Sequence, residues 1–127
     1  MAGDFGLFIG FGTAIPGREQ EGLKLFGEAL DFWSQKQQQG EVESVDTVLL
    51  EPHGGDLNGF ILIHGDQQKL NRIRYQDETF LKQIAQAQVM VHDIGVVGAY
   101  IGAGVQQEIQ RYQQVLQSLQ PAMAGAR

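Results

Sequence analysis

The sequence predicts one α+β domain, an antiparallel sheet with helices packed against it. Three observations carry the prediction. Four segments have the period-two or β-branched pattern of strands, and helical segments separate them in the order βαββαβα. The strand–helix–strand unit therefore occurs twice. The two inner strands meet across Pro52-His53-Gly54-Gly55-Asp56-Leu57-Asn58-Gly59, a turn-forming run that makes them a hairpin. The 127 residues fit a single domain at residues 1–120, followed by a short flexible tail at residues 121–127.

Phe5 to Phe11 alternates, with Phe5, Leu7, Ile9 and Phe11 on one face and Gly6, Phe8 and Gly10 on the other. Pro16-Gly17 ends this strand. Glu19 to Gln39 reads as a helix: Leu23, Phe26, Leu30 and Trp33 recur at helical spacing, and Leu25, Ala29 and Phe32 widen the stripe. Gly40 is the stop signal. Val42 to Leu50 is a β-branched strand, and Phe60 to His64 is the strand that returns from the hairpin. Asp66 is placed to cap a helix that starts near Gln67 and carries Leu70 and Ile73. Asp77 falls on the apolar stripe of that helix, where a carboxylate is unwelcome. It is read as the N-cap of a second helical piece with Phe80, Leu81 and Ile84, so the helix breaks near Gln76. Val89 to Ile101 reads as the fourth strand. Val105 to Leu119 reads as a last helix, with Ile109, Tyr112, Val115 or Leu116, and Leu119 on its apolar side.

Composition narrows the function classes. The formal net charge is −6. Such a surface repels phosphate backbones and anionic bilayers, so neither nucleic acid nor a membrane is an expected partner. The chain has no cysteine, which removes disulfides, thiolate nucleophiles and Cys-ligated zinc. Met1-Ala2-Gly3-Asp4 lacks a basic region ahead of its short apolar run, and no segment approaches the ~20 apolar residues of a membrane span. The expectation is a soluble cytoplasmic protein.

Right-handed crossovers convert the element order into a ferredoxin-like sheet of strand order 4-1-3-2, with a Rossmann-like or thioredoxin-like α/β domain as the alternative. Strands 1, 3 and 4 carry apolar residues at both phases: Leu7 and Phe8, Ile61 and Leu62, Val96 and Val97. A sheet with helices on one side normally shows one polar face. Both faces here call for cover, and the same sheet of a second copy is the simplest cover. In its element order, broken second helix and two-sided strands, the stretch from residue 5 to about residue 104 resembles the dimeric α+β barrel superfamily. Members include cofactor-free antibiotic-biosynthesis-type monooxygenases, muconolactone isomerase-like enzymes and chlorite-dismutase-like haem proteins. The resemblance implies architecture, and the two-sided strands predict a homodimer joined sheet to sheet over more than about 1,200 Å². It carries over no catalytic residue, because those differ among the families.

Motif-like runs resolve into structure. Gly10-Phe11-Gly12 follows a strand and precedes a helix, but Ile15 stands where a dinucleotide loop needs its third glycine, and Gly17 is followed by Arg18-Glu19 rather than Lys-Ser/Thr. His53-Gly54-Gly55 has no Gly-x-Ser-x-Gly elbow to serve, and a hairpin connection accounts for its glycines. His53 and His92 fall on opposite edge strands, about 14 Å apart at ~4.8 Å per strand, and His64 falls at the other end of the sheet. No metal site and no cofactor is therefore expected.

One grouping has chemical content. The topology sends Trp33, His64, Arg72, Tyr75 and Tyr100 to one end of the subunit. An aromatic-lined space with a His and an Arg suits a small aromatic or acidic ligand, with His64 available as a general base. The structural alternative has Trp33 and Tyr100 in the core and Arg72 and Tyr75 covering it. Two readings of function follow. One is a dimer-forming protein that binds a small ligand without chemistry of its own. The other is a cofactor-independent monooxygenase- or isomerase-like enzyme with its pocket between sheet and helices.

Overall fold

A computed structural model describes residues 4–125, with side chains described through residue 119. The elements are β1 (Phe5–Phe11), α1 (Glu19–Gln38), β2 (Ser44–Leu49), β3 (Gly59–His64), α2 (Gln67–Gln76), α3 (Glu78–Met90), β4 (Gly95–Tyr100) and α4 (Ala103–Gly125). The class is α+β. The strands form one open four-stranded sheet in the order β2-β3-β1-β4, and each neighbouring pair is antiparallel. Among the described residues, no helix is long and apolar enough to cross a membrane.

Strand alternation sorts the side chains onto two faces. Phe5, Leu7 and Ile9 of β1 and Ile61 and Ile63 of β3 form a buried cluster with Phe32 and Trp33 of α1, Leu70 and Ile73 of α2, and Phe80 of α3. The Trp33 ring meets Phe32 at 4.9 Å and Phe80 at 5.6 Å, both edge-on. Such contacts add about 0.5–1.5 kcal/mol each to the burial itself.

Three helices cover this face, and their ends are set by local chemistry. α1 stops before Gly40, which takes a left-handed backbone at φ 76°. Asp66 accepts a hydrogen bond from the Lys69 amide and starts α2, as its position in the sequence implies. Asp77 accepts from the Phe80 amide and starts α3, so the break in the second helix falls where its carboxylate requires. The same carboxylate holds Lys36 of α1 at 3.0 Å and ties the three helices together.

The other face carries Gly6, Phe8 and Gly10 of β1 beside Phe60, Leu62 and His64 of β3 and Val97 and Ala99 of β4. Phe8 stacks on Phe60 at 5.1 Å. The Phe8 ring lies over Gly10, where an added Cβ would come within 2.7 Å of it. The helices of the buried cluster lie on the opposite face, and α4 meets the body chiefly at the edge strand β4.

The structure corrects three boundaries. The fourth strand is Gly95–Tyr100, because Val89 and Met90 complete α3 and Val91 makes a lone bridge to Ala14. Val89 lies in the last turn of α3 and is exposed, Val91 is the extended residue that ends the helix, and Asp93, at φ 58°, turns the chain into β4. β2 starts at Ser44, and Val42 is buried just ahead of it. α4 starts at Ala103, and its backbone stays helical to Gly125, through most of the stretch read as a tail; residues 126 and 127 lie outside the described residues.

Candidate ligand cavity

A cavity of about 300 Å³ opens between the sheet and helices α1 and α3. It lies where β1 and β2 finish and β3 and β4 begin, so Phe11, Leu49, Asn58 and Ile94 contribute to one end of it. Its volume falls at the lower end of the range of about 300–1,000 Å³ seen for small-molecule sites. Ile9 and Ile61 of the sheet form one wall. Phe26, Ala29 and Trp33 of α1 and Phe80, Ile84 and Ala87 of α3 form the others.

The space exists because small residues stand where the helices face the sheet. Gly22 and Ala29 are seven residues apart on one side of α1, and Ala87 answers them from α3. Larger side chains there would close the gap. The walls are aromatic and aliphatic, and Phe11 meets Phe26 edge-on at 5.6 Å. Leu23 and Leu49 stand at the mouth, 65% and 66% exposed.

Polar groups are few. Glu19, Asn58 and Gln83 are the polar side chains of the lining, and no Lys, Arg or His belongs to it. Glu19 accepts a hydrogen bond from the Gly17 amide at 3.0 Å. The nearby Arg18 is committed elsewhere: its guanidinium donates to Glu21 and to the Val89 carbonyl. The Arg18 hydrogen bond, helped by its charge, holds the Glu21 carboxyl below the usual carboxylate range. The cavity thus has an apolar interior, one carboxylate at the start of α1 and two amides. It can bind an apolar molecule by burial. It presents no imidazole or thiol for nucleophilic or proton-transfer chemistry.

The five residues grouped from the sequence do not share this cavity or any other single one. Trp33 lines it and is 1% exposed. His64 lies on the opposite face of the sheet, where its Nε2 meets Asp46 Oδ2 at 2.9 Å. Arg72 lines a separate polar groove of about 190 Å³ with Lys36, Lys69, Glu41 and Asp77. Tyr75 is exposed and carries the Arg74 guanidinium 4.9 Å above its ring. Tyr100 is half exposed and packs edge-on against Phe5 at 6.1 Å. The topological argument placed residues at an end of the sheet. It did not separate the two sides of the sheet at that end, and His64 and Tyr100 fall on different sides.

Phe26, Ala29, Trp33, Phe80 and Ile84 of the lining stand in the sequence as apolar helix stripes, whereas Gly22 and Ala87 go unmarked there. The signal that could have marked them is the pairing of small with aromatic residues along α1, Gly22-x-x-x-Phe26-x-x-Ala29-x-x-x-Trp33. The remaining histidines are explained locally: His53 meets the Leu57 carbonyl at 2.7 Å inside the hairpin connection, and His92 is exposed in the turn before β4. No family model matches the chain, and no curated protein matches it.

Proposed function

We propose that this protein binds a small, neutral, largely aromatic molecule in the cavity between sheet and helices, without chemistry of its own. The cavity's apolar lining carries the reading. A charged acid is disfavoured, because the one ionisable side chain on the wall is Glu19. Binding ranks above a cofactor-independent monooxygenase- or isomerase-like activity because His64 stands on the other side of the sheet and the wall's one carboxylate, Glu19, is engaged by the Gly17 amide.

The strand order, read from the β4 edge, is 4-1-3-2. That order supports a ferredoxin-like reading and, with it, a homodimer of the dimeric α+β barrel type. In this reading the faces bearing Phe8, Phe60, Leu62 and Val97 meet across the two-fold axis, and the ligand cavities remain on the helical sides.

Trp33 is the one tryptophan of the chain and lines the cavity, so its emission reports occupancy directly. Titration with indole or naphthalene is expected to change Trp33 fluorescence saturably and to raise the melting temperature. Ala29→Phe, which fills the space, is expected to abolish both responses while the protein stays folded. Equal responses in wild type and Ala29→Phe would overturn the reading.

A further inference from the structure

Six of the fourteen exposed large apolar side chains among the described residues belong to α4. They are Val105, Ile109, Tyr112, Val115, Leu116 and Leu119, and their exposures run from 41% to 63%. Apolar residues scattered singly on a surface need no explanation, but a continuous stripe marks an interaction surface.

The spacing of the stripe says what kind of partner fits. Val105, Ile109, Tyr112, Leu116 and Leu119 are separated by four, three, four and three residues. That alternation averages 3.5 residues, the repeat that keeps one seam of a helix facing another helix. The rim is nearly uncharged: Gln106, Gln113 and Glu108 flank the seam, and Glu108 pairs with Arg111 within the helix. A membrane-binding helix would carry Lys and Arg along the rim. The stretch from Ala103 to residue 119 has one acidic and one basic residue, so it is neutral in a chain of formal charge −6. Two copies of α4 can approach without the repulsion that the rest of the surface imposes. The stripe is also close to symmetric about Tyr112, with apolar positions seven residues away on both sides. It can meet a copy of itself about a two-fold axis, as a closed dimer requires.

We propose that α4 docks against α4 of a second copy along this stripe, with Tyr112 at the crossing point. The contact is separate from the sheet-to-sheet contact considered above and does not depend on the ligand cavity.

The chain's lack of cysteine makes the test direct, since a single introduced thiol can form a disulfide only between copies. Tyr112→Cys is expected to cross-link to a covalent dimer under mild oxidation in either helix orientation, because the centre of a two-fold crossing meets itself. Gln110→Cys, on the opposite side of α4, is the control and is expected to cross-link at least tenfold more slowly. Equal rates for the two variants would overturn the proposal. Light scattering of Ile109→Glu/Leu116→Glu gives an independent answer. These side chains are exposed in the single chain, so Trp33 emission should be unchanged while self-association weakens at least tenfold. An unchanged assembly mass and dissociation constant would also overturn it.

Discussion

The two faces of the sheet both carry large apolar residues and have different fates. Leu7 and Ile63 on the helical face are completely buried. Their chain neighbours Phe8 and Leu62, one residue away on the other face, are half-buried, and Val97 beside them is 53% exposed. Large apolar residues do not distinguish the faces, although the open one also carries Asp46 and His64. What separates them is where the connections put the helices: α1, α2 and α3 all lie on one side, whereas the hairpin and the short β4–α4 connection bring only single side chains, Leu57 beside Gly10 and Ile101 beside Gly6, to the other. An apolar strand face therefore identifies a surface that calls for cover, and the topology decides whether the same chain supplies it.

The largest expected effect tests this contrast. Trp33→Ala removes the most buried ring of the helical face and should cost about 3–5 kcal/mol in urea unfolding. Phe8→Ala removes a stacked but half-open ring and should cost about 1 kcal/mol in dilute protein. Repeating both measurements at a hundredfold higher concentration sharpens the comparison. If a second copy covers the open face, the Phe8→Ala cost grows with concentration, whereas the Trp33→Ala cost stays fixed. A Phe8→Ala cost independent of concentration would leave the open face as plain surface.

The element order and both helix caps were legible in the sequence, because each rests on local chemistry. Asp66 and Asp77 are short acceptors just ahead of free amides, and a carboxylate at position 77 cannot sit in an apolar stripe. The α3–β4 boundary was not legible, since Val89 has strand propensity but belongs to a helix whose place is set by the packing of Phe80, Ile84 and Ala87, and Val91 is extended yet makes only a lone bridge to Ala14. The candidate site was legible in part. Trp33 was identified, but Phe26, Ala29 and Ile84 read as ordinary core, because a cavity is the volume a set of side chains fails to fill and no single residue announces it. The grouping around His64 failed because sequence position gives the end of a strand more readily than it gives the partner across it.

A smaller effect is expected where α4 leaves the sheet. A Cβ on Gly104 would overlap the Asp4 carbonyl oxygen, so the start of α4 can approach β1 closely only with glycine in place. Gly104→Ala is expected to cost about 1–3 kcal/mol by forcing these backbones apart. If its cost matches that of an exposed helical alanine substitution, near zero or stabilising, then α4 is not seated against Asp4, and the open face is less constrained at this edge than the structure indicates.

The smallest expected effects compare one acidic pair on each face. On the helical side, Asp77 and Lys36 lie 3.0 Å apart with both side chains 20% exposed. On the open side, Asp46 and His64 lie 2.9 Å apart, and the aspartate is 62% exposed. Burial alone would raise the Asp77 carboxyl. Hydrogen bonds from Lys36 and the Phe80 amide, the Lys36 charge and the Thr79 amide outweigh it and hold the group below its ordinary value of 3.8. A carboxyl depressed in the folded state contributes stability above its unfolded value and loses it as pH falls through the folded one. Asp77→Asn keeps a capping acceptor and removes the charge. It should cost up to about 1 kcal/mol near neutral pH, and its difference from wild type should narrow as pH drops below 3.8. Asp46→Asn should change stability by less than about 0.5 kcal/mol in dilute protein, as exposed pairs do. A larger cost at position 46 than at position 77 would invert the comparison, and it would mean that the open face, with its carboxylate, is the more deeply buried of the two in the assembled protein.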